Sequence, residues 1–249
     1  MEFQQILSKI GINLSDTKVE INQETIFSKE NLRKIIENID RSDFIDGFST
    51  YISNEECLRK TLLPMTRTNQ NTSINSFAEK NEESLVRLLL GIDQIQTKLI
   101  ENILELLPEY AESSERSNGI SSLIIENLKW LDYISNPKIL SEKYLEVLEI
   151  VPEIVQKEML AAISDIISDS EHIFVSKKLV ELIDQTPQLL VSILDALGGL
   201  RNSNEIERSV QNTALEMLVS SKSLDLPAIL GYLFQSAIEL PETAENVIS

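Results

Sequence analysis

Apolar side chains recur along most of the chain at the three- and four-residue spacing of an α-helix. Leu32, Ile36 and Ile39, for example, share one helical face, and Ser28 lies where the first turn needs a side-chain acceptor. Residues 18–21 instead alternate as a short extended piece does. The pattern predicts helices over residues 2–10, 28–39, 43–51, 54–63, 84–91, 120–133, 137–150, 172–184 and 203–220, and others that begin near residues 93, 152, 187 and 227.

Prolines divide the second half of the chain at similar intervals. Pro108, Pro152, Pro187 and Pro227 are separated by 44, 35 and 40 residues, which is close to the period of HEAT and armadillo helix pairs. Proline suits the first turn of a helix, because the N–H that it lacks has no partner there. We therefore predict an all-α fold, a HEAT/armadillo-like right-handed α-solenoid of antiparallel helix pairs.

Two polar stretches interrupt this pattern. Residues 66–79 are rich in Asn, Thr and Ser without apolar periodicity, and residues 111–119 form a shorter break. We predict three parts: an N-terminal helical cap over 1–65, a polar linker or disordered loop over 66–81, and α-solenoid repeats over 82–249. The repeats are expected to be truncated at their C-terminal end, because the last residues do not read as a polar capping helix.

The charge of the chain limits its partners. Acidic residues outnumber basic ones by 40 to 22, which gives a net charge of −18. The first 80 residues hold 10 basic and 12 acidic side chains, and the remainder hold 12 and 28. Such a surface repels phosphate, and no basic run marks a nucleic-acid patch or a nuclear localisation signal. The start also lacks the apolar core of a signal peptide, so we expect a soluble intracellular protein without a membrane partner.

Residue types that usually carry catalysis are scarce. Cys57 and His172 are the single cysteine and the single histidine, which excludes an internal disulfide, a cysteine-based zinc site and any site with two imidazoles. Ordinary packing is favoured for Cys57, and a surface position near a helix start is favoured for His172. The pair Gly198–Gly199 has no Gly-Lys-Ser/Thr sequence after it and is interpreted as a helix end.

The carboxylates favour solvated faces over acid–base catalysis, which needs a shaped and partly dry pocket. Adjacent or near-adjacent acidic pairs are Glu55/Glu56, Glu82/Glu83 and Glu205/Glu207. From these observations we predict no catalytic residue, no metal site and no cofactor.

Two apolar features have competing interpretations. Residues 85–89 match the L-x-x-L-L pattern of coactivator helices, but a solenoid needs those leucines inside. Trp130 is the single tryptophan and would suit an anchor for a partner. Its position beside Leu128 and Leu131 favours the core instead.

Six segments of the chain together carry a family resemblance. They read SLVRLLLGID at 84–93, LELLPEY at 104–110, NLKWLD at 127–132, ISDSEH at 167–172, SILDALGGLR at 192–201 and DLPAI at 225–229. In this order and at this spacing they resemble sequence near the start of the Fanconi anaemia group D2 family. Weaker similarity at 7–12 and 47–63 extends the resemblance over nearly the whole chain.

The resemblance implies a function that the residues alone do not. Family members are long nuclear α-solenoids that pair with the paralogous group I protein and clamp DNA during repair of interstrand cross-links. The chain would then be the N-terminal arm, a non-enzymatic scaffold that contacts the group I protein and other DNA-repair factors. It would meet DNA only through the complete complex and act on no small-molecule substrate. The family's ubiquitin-acceptor lysine lies beyond the matched region, so no lysine of this chain is assigned that role.

A second interpretation keeps the fold and changes the partner. A free-standing acidic α-solenoid adaptor would bind basic proteins or peptides, with an affinity that falls steeply with salt. The family's basic N-terminal extension is missing, so the expected nuclear localisation follows from the resemblance and not from a signal in the chain.

Overall fold

A computed structural model describes residues 3–22, 29–68, 83–111, 119–220 and 225–239. It divides the chain into two compact units, Met1–Asn136 and Pro137–Ser249. Helices dominate both units, which confirms the predicted helical class. None of the described helices has the length and apolar character that crossing a bilayer requires.

The first unit combines helices with a small sheet. Its elements, in chain order, are α1 Phe3–Lys9, β1 Ile12–Leu14, β2 Val19–Asn22, α2 Lys29–Glu37, α3 Arg41–Ile52, α4 Glu55–Leu62, β3 Thr66–Thr68, α5 Leu85–Leu90, α6 Asp93–Glu105, α7 Leu107–Tyr110 and α8 Ile120–Lys129. Strand β1 pairs antiparallel with β2, and β2 pairs parallel with β3. The extended piece predicted near β2 is therefore confirmed.

Strand β3 corrects one detail of the sequence analysis. Thr66–Thr68 begins the segment predicted as a polar linker, yet it forms a strand in which Glu20 lies opposite Thr66. The β-branched threonines suit an extended backbone, and the exposed edge of β2 supplies the hydrogen-bond partners. The rest of the predicted linker and the cap predicted at Ser28 lie outside the described residues.

The core of the first unit is built where α1 crosses α3. The ring of Phe3 meets the rings of Phe44 and Phe48 edge-on, with centroids 5.2 and 5.5 Å away. A Cβ atom at Gly47 would lie 2.9 Å from the Cβ of Phe3. Glycine therefore permits this close crossing, and a side chain there would push α1 away from α3.

In the second unit, four of the six described helices begin at or near a proline. Its elements are α9 Pro137–Ile150, α10 Glu153–Ile166, α11 His172–Gln185, α12 Leu190–Gly199, α13 Asn204–Ser220 and α14 Leu226–Glu239, with 3-10 turns at Asp169–Glu171 and Pro187–Leu189. Pro152 precedes α10, Pro187 opens the turn before α12, and Pro227 is the second residue of α14. The predicted helix starts are thus confirmed.

Alternate helices of the second unit pack against each other. Helix α12 contacts both α10 and α14, and α11 contacts both α9 and α13. Leu194 of α12 is 1% exposed in this core. Gly199 ends α12 next to Ser164 of α10, where an added Cβ would lie 3.1 Å from the serine Cβ. The interpretation of Gly198–Gly199 as a helix end is confirmed.

Candidate protein-interaction site

Two large aromatic side chains lie exposed at the end of α8. Trp130 and Tyr133 are each 63% exposed, so the prediction of a core position for Trp130 is wrong. Helix α8 ends at Lys129, and its buried face runs through Ile124 and Leu128. Trp130 follows Leu128 by two residues, a rotation of about 200° around the helix axis, which carries the indole to the opposite side.

Arg87 of α5 lies against one of these rings. Its guanidinium carbon is 5.5 Å from the centroid of the Trp130 ring, a cation–π distance. The Nε atom of Arg87 is buried without a hydrogen-bond partner.

The exposed rings border an open cavity of about 110 Å³, which we call the aromatic pocket. Its lining residues are Glu83, Arg87, Leu90, Gly91, Asp93, Gln96, Trp130, Leu131, Asp132 and Tyr133. Three carboxylates and one guanidinium therefore surround two exposed aromatic rings. An exposed aromatic pair with a polar rim is typical of a protein-contact surface.

A buried glutamine fixes the backbone beneath the aromatic pocket. The Gln96 side-chain amide donates to the carbonyl oxygens of Leu90 at 2.8 Å and Tyr133 at 2.6 Å. Its Oε1 atom accepts from the backbone N–H of Ser135 at 2.6 Å. Because Gln96 is 1% exposed, these bonds are protected from water and hold residues 133–135 against the helices α5 and α6.

A second buried amide joins the helices behind the aromatic pocket. Asn127 donates from Nδ2 to the carbonyl oxygens of Leu62 at 3.0 Å and Leu123 at 2.7 Å. Its Oδ1 accepts from the hydroxyl of Ser84. The Ser84 oxygen in turn accepts from the backbone N–H of Arg87 at 3.0 Å, which caps α5. Helices α4, α5 and α8 therefore meet at one hydrogen-bonded joint.

His172 has a structural role in the second unit. The prediction of a surface position is wrong, since the residue is 4% exposed. Its Nδ1 accepts from the backbone N–H of Arg201 at 2.9 Å, and its Nε2 lies 3.1 Å from the carbonyl oxygen of Ile167. This arrangement requires hydrogen on Nε2 and none on Nδ1. The neutral ring therefore links the end of α10 to the segment after α12.

Glu207 is a second buried polar residue of this unit. Its carboxylate accepts from Nδ2 of Asn202 at 2.9 Å and from the hydroxyl of Tyr232 at 3.0 Å. The expectation of a solvated face is wrong for Glu207 and holds for exposed Glu205, Glu55 and Glu56. Glu83 is half-buried, and Glu82 lies outside the described residues. The bonds join α13 to α14 and present no acid–base pair.

The remaining motifs fit their structural interpretations. Leu85, Leu88 and Leu89 are fully buried, so the L-x-x-L-L pattern offers nothing to a partner. Cys57 is half-buried near Tyr51, and burial, with a smaller effect of Cys57, raises the pKa of the Tyr51 phenol. Within the described ranges, no group of three or more His, Cys, Asp or Glu side chains is arranged to hold a metal ion.

Comparison with known proteins decides the family. The family model described as "Fanconi anaemia protein FancD2 nuclease" matches residues 3–249. This chain belongs to the Fanconi anaemia group D2 family. It is 32% identical over 200 residues to the mouse and the rat Fanconi anemia group D2 protein homologs, which covers 79% of the chain and 14% of each relative. It is 29% identical over 248 residues to the chicken Fanconi anemia group D2 protein, over 94% of the chain and 17% of the relative.

Membership in the group D2 family confirms the resemblance found from the six segments. The chain spans 14% to 17% of the length of these curated relatives. Several residues of the geometry above fall in those segments, among them Arg87 in SLVRLLLGID, Asn127 and Trp130 in NLKWLD, and His172 in ISDSEH. The roles of these side chains became visible only with the fold.

Proposed function

We propose that this group D2 family chain is the N-terminal arm of a non-enzymatic scaffold in the nucleus. It pairs with the Fanconi anaemia group I protein and helps to clamp DNA in repair of interstrand cross-links. The observation that carries the proposal is the family match over residues 3–249. The exposed aromatic pocket supports a role in protein contact, since it places two aromatic side chains at the surface.

The scaffold role includes an extended α-solenoid. In support, α10 packs on α12 and α12 packs on α14, while α11 contacts α9 and α13. Stacking of alternate helices is how solenoid repeats bury their apolar faces. The division into a cap over 1–65, a linker over 66–81 and repeats over 82–249 is part of the same proposal, and limited proteolysis with mass spectrometry tests it by locating the first cleavage sites.

Because of the charge of the chain, we propose that DNA is contacted by the complete complex and not by this chain alone. A net charge of −18 opposes binding to phosphate. This charge supports a scaffold over a nuclease in the proposal, although the word nuclease stands in the description of the family model.

Binding to the purified group I protein of the same organism tests this function. Size-exclusion chromatography with light scattering should give a one-to-one complex with the full chain. Surface plasmon resonance should give an affinity that survives physiological salt, because an apolar and hydrogen-bonded interface is screened little. Absence of a complex at micromolar concentrations would contradict the proposal.

The acidic surface favours one second candidate, an adaptor for basic proteins or peptides. In that case a blocked oligolysine peptide should bind the chain, and its affinity should fall steeply between low and physiological salt. Strong peptide binding without a group I complex would support the adaptor and contradict the scaffold.

A further inference from the structure

The aromatic pocket has features that indicate the chemistry of its partner. We propose that it binds a partner protein segment in which an arginine or lysine side chain stands beside an apolar residue. This proposal goes beyond the scaffold function, because it assigns the recognition chemistry to named residues and holds whichever protein presents the segment.

Exposed aromatic faces recognise cations. The quadrupole of an indole or phenol ring attracts a guanidinium or ammonium group that lies over its face. Arg87, 5.5 Å from the Trp130 ring centroid, already places a guanidinium in such a position. Tyr133 is as exposed as Trp130, at 63%, and no ring contact with a cation of the described residues involves it. An incoming cation can therefore use the ring of Tyr133.

The charges around the rings favour a cation over an anion. Glu83, Asp93 and Asp132 line the aromatic pocket, and Arg87 is the one basic residue in its lining. Asp93 also forms an exposed ion pair with Arg33 at 3.4 Å, which leaves the Asp132 carboxylate next to Tyr133 in sequence. The net charge of −18 adds long-range attraction for a basic segment. A nucleic acid of any sequence would meet repulsion from the same carboxylates.

The backbone that carries Tyr133 is already held in place. Gln96 bonds to the backbone of Tyr133 and Ser135 at 2.6 Å to each, so this segment loses little backbone freedom on binding. The apolar residue of the segment would rest on Leu90 and Leu131, which also line the pocket.

Intrinsic fluorescence gives a direct assay, because Trp130 is the single tryptophan of the chain. The full chain is titrated with the blocked peptide acetyl-Gly-Arg-Leu-Gly-amide. Matched peptides carry citrulline, which keeps the shape of arginine without its charge, or glutamate in the same place. We expect a saturable change of Trp130 emission with the arginine peptide and an affinity at least about fivefold lower with the citrulline peptide.

Variants at the rim of the aromatic pocket distinguish binding at this site from general electrostatic attraction of the peptide to the acidic chain. Tyr133→Ala and Asp132→Asn should each lower the affinity for the arginine peptide by about fivefold. Phe234→Ala is the control, since Phe234 is a similarly exposed aromatic residue, at 58%, in the second unit. It should leave the affinity unchanged. Circular dichroism melting of each variant checks that the exposed positions leave the fold intact.

Three results would overturn the proposal. The first is equal affinity for the arginine and citrulline peptides, and the second is an equal effect of Tyr133→Ala and Phe234→Ala. The third is a saturable response to single-stranded oligothymidine in place of the peptide, which would make the rings a stacking site for bases. Peptide binding without a group I complex contradicts only the scaffold function, and a group I complex without peptide binding contradicts only this site.

Discussion

Replacement of Asn127 by alanine tests whether a buried amide holds α8 against α4 and α5. The Asn127 side chain uses both of its amide hydrogens, on the carbonyl oxygens of Leu62 and Leu123, and accepts from Ser84. The residue is 5% exposed, so water does not replace these bonds easily. Asn127→Ala would leave the Leu62 carbonyl and the Ser84 hydroxyl without this partner.

The expected loss of stability follows from these two groups. An unsatisfied buried polar group costs about 1–3 kcal/mol, so with two such groups we expect the free energy of unfolding of the first unit to fall by about 2–6 kcal/mol. The Leu123 carbonyl adds little, because it also accepts the backbone N–H four residues later in the helix. With a denaturant slope of about 2 kcal/mol per molar urea, the unfolding midpoint should fall by about 1–3 M.

Urea unfolding followed by Trp130 fluorescence measures this loss, since Trp130 lies three residues after Asn127 in the same unit. The control is Glu126→Ala, an exposed position on the same helix whose ion pair with Lys129 spans 3.3 Å. It should change stability by less than about 0.5 kcal/mol. A double-mutant cycle with Ser84→Ala should give a coupling of about 0.5–3 kcal/mol. Equal effects of Asn127→Ala and Glu126→Ala, or zero coupling, would refute the reasoning.

Three other changes have defined outcomes. Leu194→Asp buries an unpaired charge at a position that is 1% exposed, so the second unit should lose its cooperative melting by circular dichroism; unchanged melting would show that the register of α12 is wrong. In Gly47→Ala the added Cβ would lie 2.9 Å from the Cβ of Phe3, so thermal melts should show a loss of stability of about 1–3 kcal/mol. The control Gly231→Ala, where an added Cβ has no atom of the described residues within 4 Å apart from its chain neighbours and its own helix backbone, should raise stability by up to about 1 kcal/mol. Burial raises the pKa of the Tyr144 phenol above its ordinary value of 10, so its contribution to stability is present below pH 10 and is lost as the pH rises above it. Tyr144→Phe should therefore reduce the loss of unfolding free energy between about pH 9 and pH 11. An unchanged pH dependence would contradict the buried position.

Helical periodicity predicted most elements because the hydrogen bonds of a helix join residues four apart, so the apolar spacing that marks it is local in sequence. Leu85, Leu88 and Leu89 are buried as the spacing of α5 indicates. Pro152 and Pro227 begin helices because a missing N–H costs nothing in the first turn. Strand β3 could not be predicted in this way, because its partner β2 lies more than 40 residues earlier.

The sequence drew attention to Trp130 but did not predict that its side chain is exposed. Trp130 was singled out as the lone tryptophan, but helix 120–133 was predicted to continue past it. The helical spacing already places Trp130 about 200° from the buried Leu128, but the prediction followed its sequence neighbours Leu128 and Leu131 and gave it a core position. Its neighbour Arg87 lies 43 residues away in sequence, so the cation–π contact also follows from tertiary packing alone.

The buried polar residues set the register of helices that apolar contacts alone would leave loosely defined. One leucine-rich face packs against another in several offsets of similar energy, because dispersion and burial depend weakly on which leucines meet. Asn127, His172 and Glu207 instead bond to particular atoms of Leu62, Arg201 and Tyr232. A slip by one helical turn would break each bond and leave a buried polar group unsatisfied. We infer that these side chains select the packing that the leucines stabilise, so their hydrogen bonds together with their burial explain their place in the chain.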